Sequence, residues 1–278
     1  MSATGTTLTR AVMPFCIEAE VNGCDAEVYI NDIPLGRLHP EPGNPALGLT
    51  INQLIRQGTN TVEIVLDPGE HPSAARTPKS TRDLSGLAFF VRVGRVPEGG
   101  VIGETTPSEV LVEATFTGEG MVLPVPLAVV RTFTAESPFP PWAWERAEAL
   151  TMGPALVAEV LAFLADYRAA LVHRDIAREN QLSALAHGEI AAAYGRAPGP
   201  WIAALNGVVQ DEWRRTDWGV EPVDTDLLDL RLCANGRMVQ CIRRDWDDAI
   251  RSTTDAEGGN MTVPLFLGRL DGRMLRLR

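Results

Sequence analysis

The chain has 278 residues, 45% hydrophobic and 22% charged, with 25 Lys+Arg against 36 Asp+Glu and a formal net charge of −11. That length buries a self-sufficient core and leaves room for two domains, and the composition excludes a largely disordered chain. The acidity excludes general binding to nucleic acid or to an anionic membrane, both of which need clustered cations. Lys79 is the one lysine among the 25 cations, a bias that points to a GC-rich bacterial coding sequence. No stretch approaches the ~20 apolar residues of a bilayer span, and residues 1–20 carry no charged leader. A cytoplasmic protein without a signal peptide is therefore expected.

Residues 11–135 read as all-β, with strands predicted at 12–21, 24–31, 47–51, 61–66, 86–96, 109–117 and 121–133. These runs are rich in Val, Ile, Leu and Phe and are bounded by Gly, Pro, Asn and Asp, the pattern of a sandwich. Asn22-Gly23 between two alternating runs is a hairpin signal. It would pair Val21 with Cys24, Ala19 with Ala26, Ile17 with Val28 and Phe15 with Ile30, an all-apolar face. Glu18, Glu20, Asp25 and Glu27 would then crowd the outer face, like charges opposite one another. Such a face calls for compensation by a basic protein partner, by calcium, or by solvent and nearby arginines. The polar stretch 67–84, with its prolines, is predicted to be a long loop of the kind that is mobile or functional.

Residues 136–150 form a Pro-rich linker and junction, with Trp142 and Trp144 placed to pack it. From Gly153-Pro154 the pattern changes. No Gly or Pro interrupts 155–187, and Leu156, Val160, Phe163, Leu164, Tyr167 and Leu171 recur at helical spacing, so one long helix ending near Gly188 is predicted. A further helix is predicted over 200–215, then strands near 218–233, 237–246, 261–268 and 273–277. The fold class expected is two domains: an all-β sandwich over 1–135, then an α+β domain over 151–278 with a long helix packed on an antiparallel sheet.

Asn235-Gly236 marks a second hairpin, which puts Cys241 with Leu230, Leu232 and Val239 and turns Cys233 to the other face. Cys16 likewise opposes Cys24 in facing, so neither local pair can form a disulfide and free thiols are expected.

His173-Arg174-Asp175 through Asn180 fits the H-R-D-x-x-x-x-N pattern of a protein-kinase catalytic loop. The chemistry does not follow. The metal-binding D-F-G position is Ala193-Tyr194-Gly195, Lys79 lies in a Pro-rich loop, and only 98 residues follow Asn180. No zinc spacing, P-loop or G-x-S-x-G occurs, so neither metal nor cofactor is expected. Trp213 and Trp218 bracket the step from helix to sheet, with Tyr167 opposite, as core or as the lining of a ligand pocket. His173 and Asp175 are the acid–base candidates beside that pocket. The run Asp245-Trp246-Asp247-Asp248 reads either as a contact for a cation or as a solvated strand end.

Two stretches carry family resemblances. Val28-Tyr29-Ile30-Asn31-Asp32 through Leu35-Gly36, then Leu54, Gly58, Asn60, Val62 and Ile64, resembles the galactose-binding-like jelly-roll domains that flank many glycoside hydrolases. Asp32 replaces the turn glycine of that pattern. The resemblance implies a jelly-roll sandwich but little sugar binding, since residues 1–137 contain no Trp and only Tyr29. The run Phe163–Leu171, Asp175, the Asn235-Gly236 hairpin and Leu270-Asp271-Gly272-Arg273-Met274 resemble the NTF2-like (cystatin-like) α+β proteins, a family of isomerases, dehydratases and binding modules. That fold does not decide enzyme from non-enzyme.

Residues 1–137 hold 9 cations and 16 anions (−7), and residues 138–278 hold 16 and 20 (−4), so the charge is concentrated in the first part. With no coherent catalytic constellation, the expected function is non-enzymatic. It is that of an antitoxin-like or secretion-associated interaction protein recognising a basic partner through Glu18, Glu20, Asp25 and Glu27. The alternative is a small-ligand-binding or isomerase-like NTF2-type domain with an appended sandwich. The oligomeric state is left open.

Overall fold

The computed structural model describes residues 14–40, 42–97, 102, 107–255 and 258–278. The start of the first predicted strand, and most of residues 1–20, lie outside the described residues.

The β-rich part contains β1 (Phe15–Asn22), β2 (Ala26–Ile30), β3 (Ile33–Leu38), β4 (Ala46–Thr50), β5 (Gly58–Leu66), β6 (Ser80–Asp83), β7 (Ala88–Arg95), β8 (Glu109–Thr117), β9 (Val122–Val125) and β10 (Leu127–Ala135). Two four-stranded antiparallel sheets, ordered β4-β1-β7-β8 and β10-β5-β2-β3, enclose one apolar core between them. β1 and β2 do not form the predicted hairpin. β1 lies between β4 and β7, with Ile17 opposite Leu49 and Val93, whereas β2 lies between β3 and β5, with Val28 opposite Gly36 and Ile64. The expected apolar set, Phe15, Ile17, Ala19 and Val21 with Ala26, Val28 and Ile30, does point into the core, but the two strands meet across it rather than side by side. Gly23 makes the crossing with φ of 82°, and a Cβ there would sit 2.5 Å from the Gly86 carbonyl oxygen, so only glycine fits.

β2 instead forms a hairpin with β3. Asn31 and Asp32 occupy its turn with φ of 51° and 64°, the left-handed pair that a two-residue hairpin demands. The predicted strand 121–133 is broken at Pro126, which has no N–H for a ladder: β9 pairs with β6, while β10 pairs with β5.

The α+β part contains α1 (Ala143–Arg146), α2 (Pro154–Val172), α3 (Ile176–Ala193), α4 (Pro198–Trp213), β11 (Leu228–Cys233), β12 (Met238–Arg243), β13 (Ile250–Arg251), β14 (Thr262–Val263), β15 (Leu265–Leu270) and β16 (Arg273–Arg276). The single long helix expected over 155–187 is two helices. Arg174 takes φ of 56°, and the Asp175 carboxylate accepts the Arg178 N–H at 3.0 Å, which caps a new helix start. The kinase-like His-Arg-Asp is thus the turn between α2 and α3. Gly188 does not stop α3. The stop is Tyr194-Gly195, with Gly195 at φ of 62° as a left-handed C-cap. Among the described residues no helix is long and apolar enough to cross a membrane.

The sheet β11-β12-β15-β16 is an antiparallel meander whose two faces serve different neighbours. Strand alternation sends Val239, Cys241, Leu265 and Leu267 into a core with Leu156, Val160, Leu164 and Tyr167 of α2. The opposite face, with Cys233, Met238, Phe266 and, beyond the strand, Leu277, joins the core of the β-rich part. The Asn235-Gly236 hairpin forms as expected, with Leu230 opposite Cys241 and Leu232 opposite Val239. All four cysteines are free and buried, and burial pushes Cys16 and Cys24 up to about 11.

The segment expected as a linker is itself packed. Trp142 and Trp144 are each 2% exposed within the shared core, and their indole N–H groups donate to the Ile55 and Gln53 carbonyls at 2.9 and 3.2 Å. The stretch 67–84 is tied down across the seam: the Ser73 N–H donates to Asp229 at 2.7 Å, and the Glu70 carbonyl accepts from the Trp246 indole at 3.3 Å.

Candidate functional site

Alternation on β2 turns Glu27 and Tyr29 away from the sandwich core, where sequence reasoning places them in solvent. Instead the sheet of the α+β part covers them. Glu27 is 2% exposed and Tyr29 2%, and Arg231 of β11 reaches them from 204 residues away. Its guanidinium donates to the two Glu27 oxygens at 2.5 and 2.9 Å, to the Tyr29 hydroxyl at 3.1 Å, to the Pro72 carbonyl at 3.3 Å and to the Gln240 side chain at 2.6 Å. Tyr29 donates in turn to Glu27. Burial pushes the Tyr29 phenol far above its ordinary range, with the Glu27 charge adding to it. Burial by itself would lower Arg231, but the Glu27 hydrogen bonds and charge reverse the shift and hold it upward.

The four carboxylates predicted to share one face are therefore separated. Glu18 pairs with Arg92 across the β1–β7 ladder, and Glu20 is exposed on the same strand. Asp25, at the crossing between sheets, meets Arg37 at 2.6 Å and His39 at 3.1 Å. Glu27 is interior. The crowded hairpin face requires β1 and β2 to be neighbours in one sheet, and they are not.

Beside the Arg231–Glu27 pair a cleft of about 250 Å³ opens between β3 and the α+β sheet. Its polar wall comes from Arg37, Gln240, Arg231 and the turn Trp246-Asp247-Asp248, and its apolar wall from Leu35, Ile242 and Phe266. Trp246 holds φ of 71°, a left-handed conformation costly for a bulky residue. The Arg37 guanidinium lies over its ring at 4.3 Å and fixes it there. Of the acidic run, Asp245 is neutralised by Arg243 at 2.6 Å and Asp247 by Arg251 at 2.6 Å. Asp248 has no ion-pair partner within 4 Å among the described residues. Burial pushes its carboxyl up to about 6, with the Asp247 charge adding and a Thr262 hydrogen bond and the Arg276 charge opposing.

A raised carboxyl value in the folded state means that the fold holds this proton more tightly than the unfolded chain does. The contribution to stability is full below the ordinary carboxylate value of 3.8 and is lost as pH rises through about 6. Asp248→Asn, which is always neutral, should then be more stable than the parent by about 1–2 kcal/mol at pH 8 and equal to it near pH 3, after allowance for partial exposure. Urea titrations at the two pH values measure this. An unchanged difference between them would show that Asp248 is solvated.

The pocket residues expected beside α2 fall into the packed core. Tyr167 is 2% and Trp213 6% exposed, with Trp218 packed against the same cluster. The Tyr167 hydroxyl donates to Glu179 at 2.8 Å and accepts from Arg276 at 3.0 Å, while Ser183 bridges Glu179 and Arg276 at 2.8 and 2.9 Å. Burial pushes Tyr167 up to about 12 and lowers His187, which the Arg276 charge lowers further. The indole N–H groups of Trp213 and Trp218 are buried without an acceptor. His173 and Asp175 sit at the exposed α2–α3 turn, where Asp175 is occupied as the helix cap. They do not join Tyr167 in one constellation.

Sequence reasoning singled out the acidic run but missed Arg37, Gln240 and Arg231, whose separation along the chain carries no local signal. No protein-family model, curated protein or solved structure matches the chain.

Proposed function

We propose that this chain is a non-enzymatic binding protein whose binding seat is the cleft between its β-rich and α+β parts. The observation that carries this reading is the make-up of that cleft. It is a concave site walled by apolar side chains, with a few convergent polar groups and a carboxyl displaced from its ordinary titration range. The left-handed Trp246, held by Arg37, adds local strain of the kind that gathers at ligand clamps. The two parts, expected as separate domains, act in this reading as one unit, because each contributes one wall. Recognition of a basic partner by the outer carboxylates is not part of it, since those groups are dispersed.

A fragment library screened by protein-detected NMR tests the reading. Binders should shift the Trp246 indole N–H and the Gly36 amide, and Leu35→Trp, which fills the cleft from its edge, should abolish those shifts. Fragments that bind elsewhere and leave both resonances in place, or a library without a binder, would overturn it.

A further inference from the structure

The charged groups of the interior are already served. The Tyr167–Glu179–Ser183–Arg276 network satisfies its hydroxyls internally. A second cleft, of about 300 Å³, is lined by Tyr29, Met152 and Arg76, but the Arg76 guanidinium is taken up by Asp32 at 2.8 Å and by Glu63 at 2.6 Å. The uncovered surface lies outside, along α4. That helix turns one side inward: Trp213 is 6% exposed, Val209 packs on the same core, and Trp201 stacks on Tyr194 at 6.0 Å. The other side is bare. Pro200, Ala204 and Val208, four residues apart, form one exposed apolar stripe. Val208 is 63% exposed, as much as any large apolar side chain among the described residues. Opposite charges flank the stripe. Arg196, exposed just before the helix, makes no ion pair within 4 Å among the described residues. Asp211, near the far end, meets Arg214 in a pair whose side chains are 69% and 77% exposed, a solvated contact that is readily exchanged.

Independently of the cleft, we propose that this face of α4 docks on the same face of a second copy of the chain, the two helices antiparallel and crossing at Ala204. The charge order selects that occupant. A helix with a cation before one end of its apolar stripe and an anion at the other is complementary to itself when reversed, the condition for a two-fold contact. Asp211 lies ~10 Å along the axis from Ala204, and Arg196 about as far the other way. Reversal therefore sets each Arg196 beside Asp211 of the second copy and lays Val208 against the Pro200 end of the stripe. The net charge of −11 on each copy opposes the contact only weakly, because charges more than about 8 Å apart are screened at physiological ionic strength. One helix face buries well under the ~800 Å² per partner of a standard interface, so the dimer is a weak one that forms as concentration rises.

Analytical ultracentrifugation of the full chain, from micromolar to millimolar concentration, tests this. The parent should pass from monomer to dimer. Val208→Glu, which puts a carboxylate into the apolar seam, should weaken the dimer at least about tenfold. Asp211→Arg and Arg196→Glu should each weaken it about tenfold, because each sets like charges together at both ends of the contact. All three positions are exposed, so circular dichroism should show the parent's fold and melting temperature in every variant. The decisive sample is an equal mixture of Asp211→Arg and Arg196→Glu. In the mixed pair every arginine again faces a carboxylate, so the two variants together should dimerise about as tightly as the parent. A parent that stays monomeric throughout overturns the proposal and leaves the face to a different protein. A dimer indifferent to Val208→Glu, or a mixture that associates no better than either variant alone, overturns it as well, since the contact then lies on another face or in another register.

Discussion

Arg231→Met should destabilise the protein by about 3–5 kcal/mol, because it strands the Glu27 carboxylate in the interior without its cation. Glu27→Leu should cost a similar amount by stranding the guanidinium. The double variant should recover at least about 2 kcal/mol of the summed cost, since two apolar side chains of similar volume need no desolvated charge. A double-mutant cycle by urea denaturation gives the numbers. Single variants that cost under about 1 kcal/mol would place the pair in solvent, as for an exposed ion pair. The magnitude follows from burial: Glu27 is 2% and Arg231 6% exposed, and the guanidinium meets a carboxylate, a hydroxyl, an amide and a carbonyl together.

Trp142→Ala should have an effect of the same order, about 3–5 kcal/mol, from lost packing and the cavity left behind. The indole contacts Phe139 at 5.1 Å and lies under the Arg278 guanidinium at 5.5 Å, while its N–H satisfies the Ile55 carbonyl. Trp142→Phe should cost less, about 1–3 kcal/mol, chiefly for the orphaned carbonyl. The unfolding profile is as informative as the midpoint. One buried cluster contains Ile55 and Leu66 together with Ala193, Met238 and Leu277, so far-UV circular dichroism and tryptophan fluorescence should report a single coincident transition. Two resolved transitions, of which only one moves in the variant, would show that the parts fold separately.

The candidate cleft was legible in pieces only. Asp245-Trp246-Asp247-Asp248 stands out as an acidic run around an aromatic residue, but its three carboxylates are alike in sequence. They become unlike because Arg243 and Arg251 form ion pairs with two of them, whereas the third has no ion-pair partner within 4 Å among the described residues. The helix region shows the same limit. The apolar spacing of Leu156, Val160, Leu164 and Tyr167 marks the buried face correctly. The break at Arg174 depends on the Asp175 cap, which competes with an otherwise continuous helical pattern.

What the amino-acid order determines by itself here is side-chain parity. Ile17, Ala19 and Val21 share one face of β1, and Val28 and Ile30 share one face of β2, because strands alternate at a period of two, and every one of them is buried. The Asn235-Gly236 and Asn31-Asp32 turns are equally local, since they depend on which residues tolerate a positive φ. The neighbour of each strand is not local. Two strands with apolar inner faces bury them equally well side by side or facing across a core, and for β1 and β2 the long-range ladders with β4, β7, β3 and β5 decide the matter. The outer face of a sheet carries still less local information. Glu27 reads as a solvated carboxylate until a third sheet, more than two hundred residues downstream, covers it and supplies Arg231. The net charge of −11 is thus a property of the composition, whereas which carboxylate goes without an ion pair in the acidic run, Asp248, is a property of the tertiary fold alone. Charge is additive along a chain, but its neutralisation depends on distances of a few ångströms that only folding establishes.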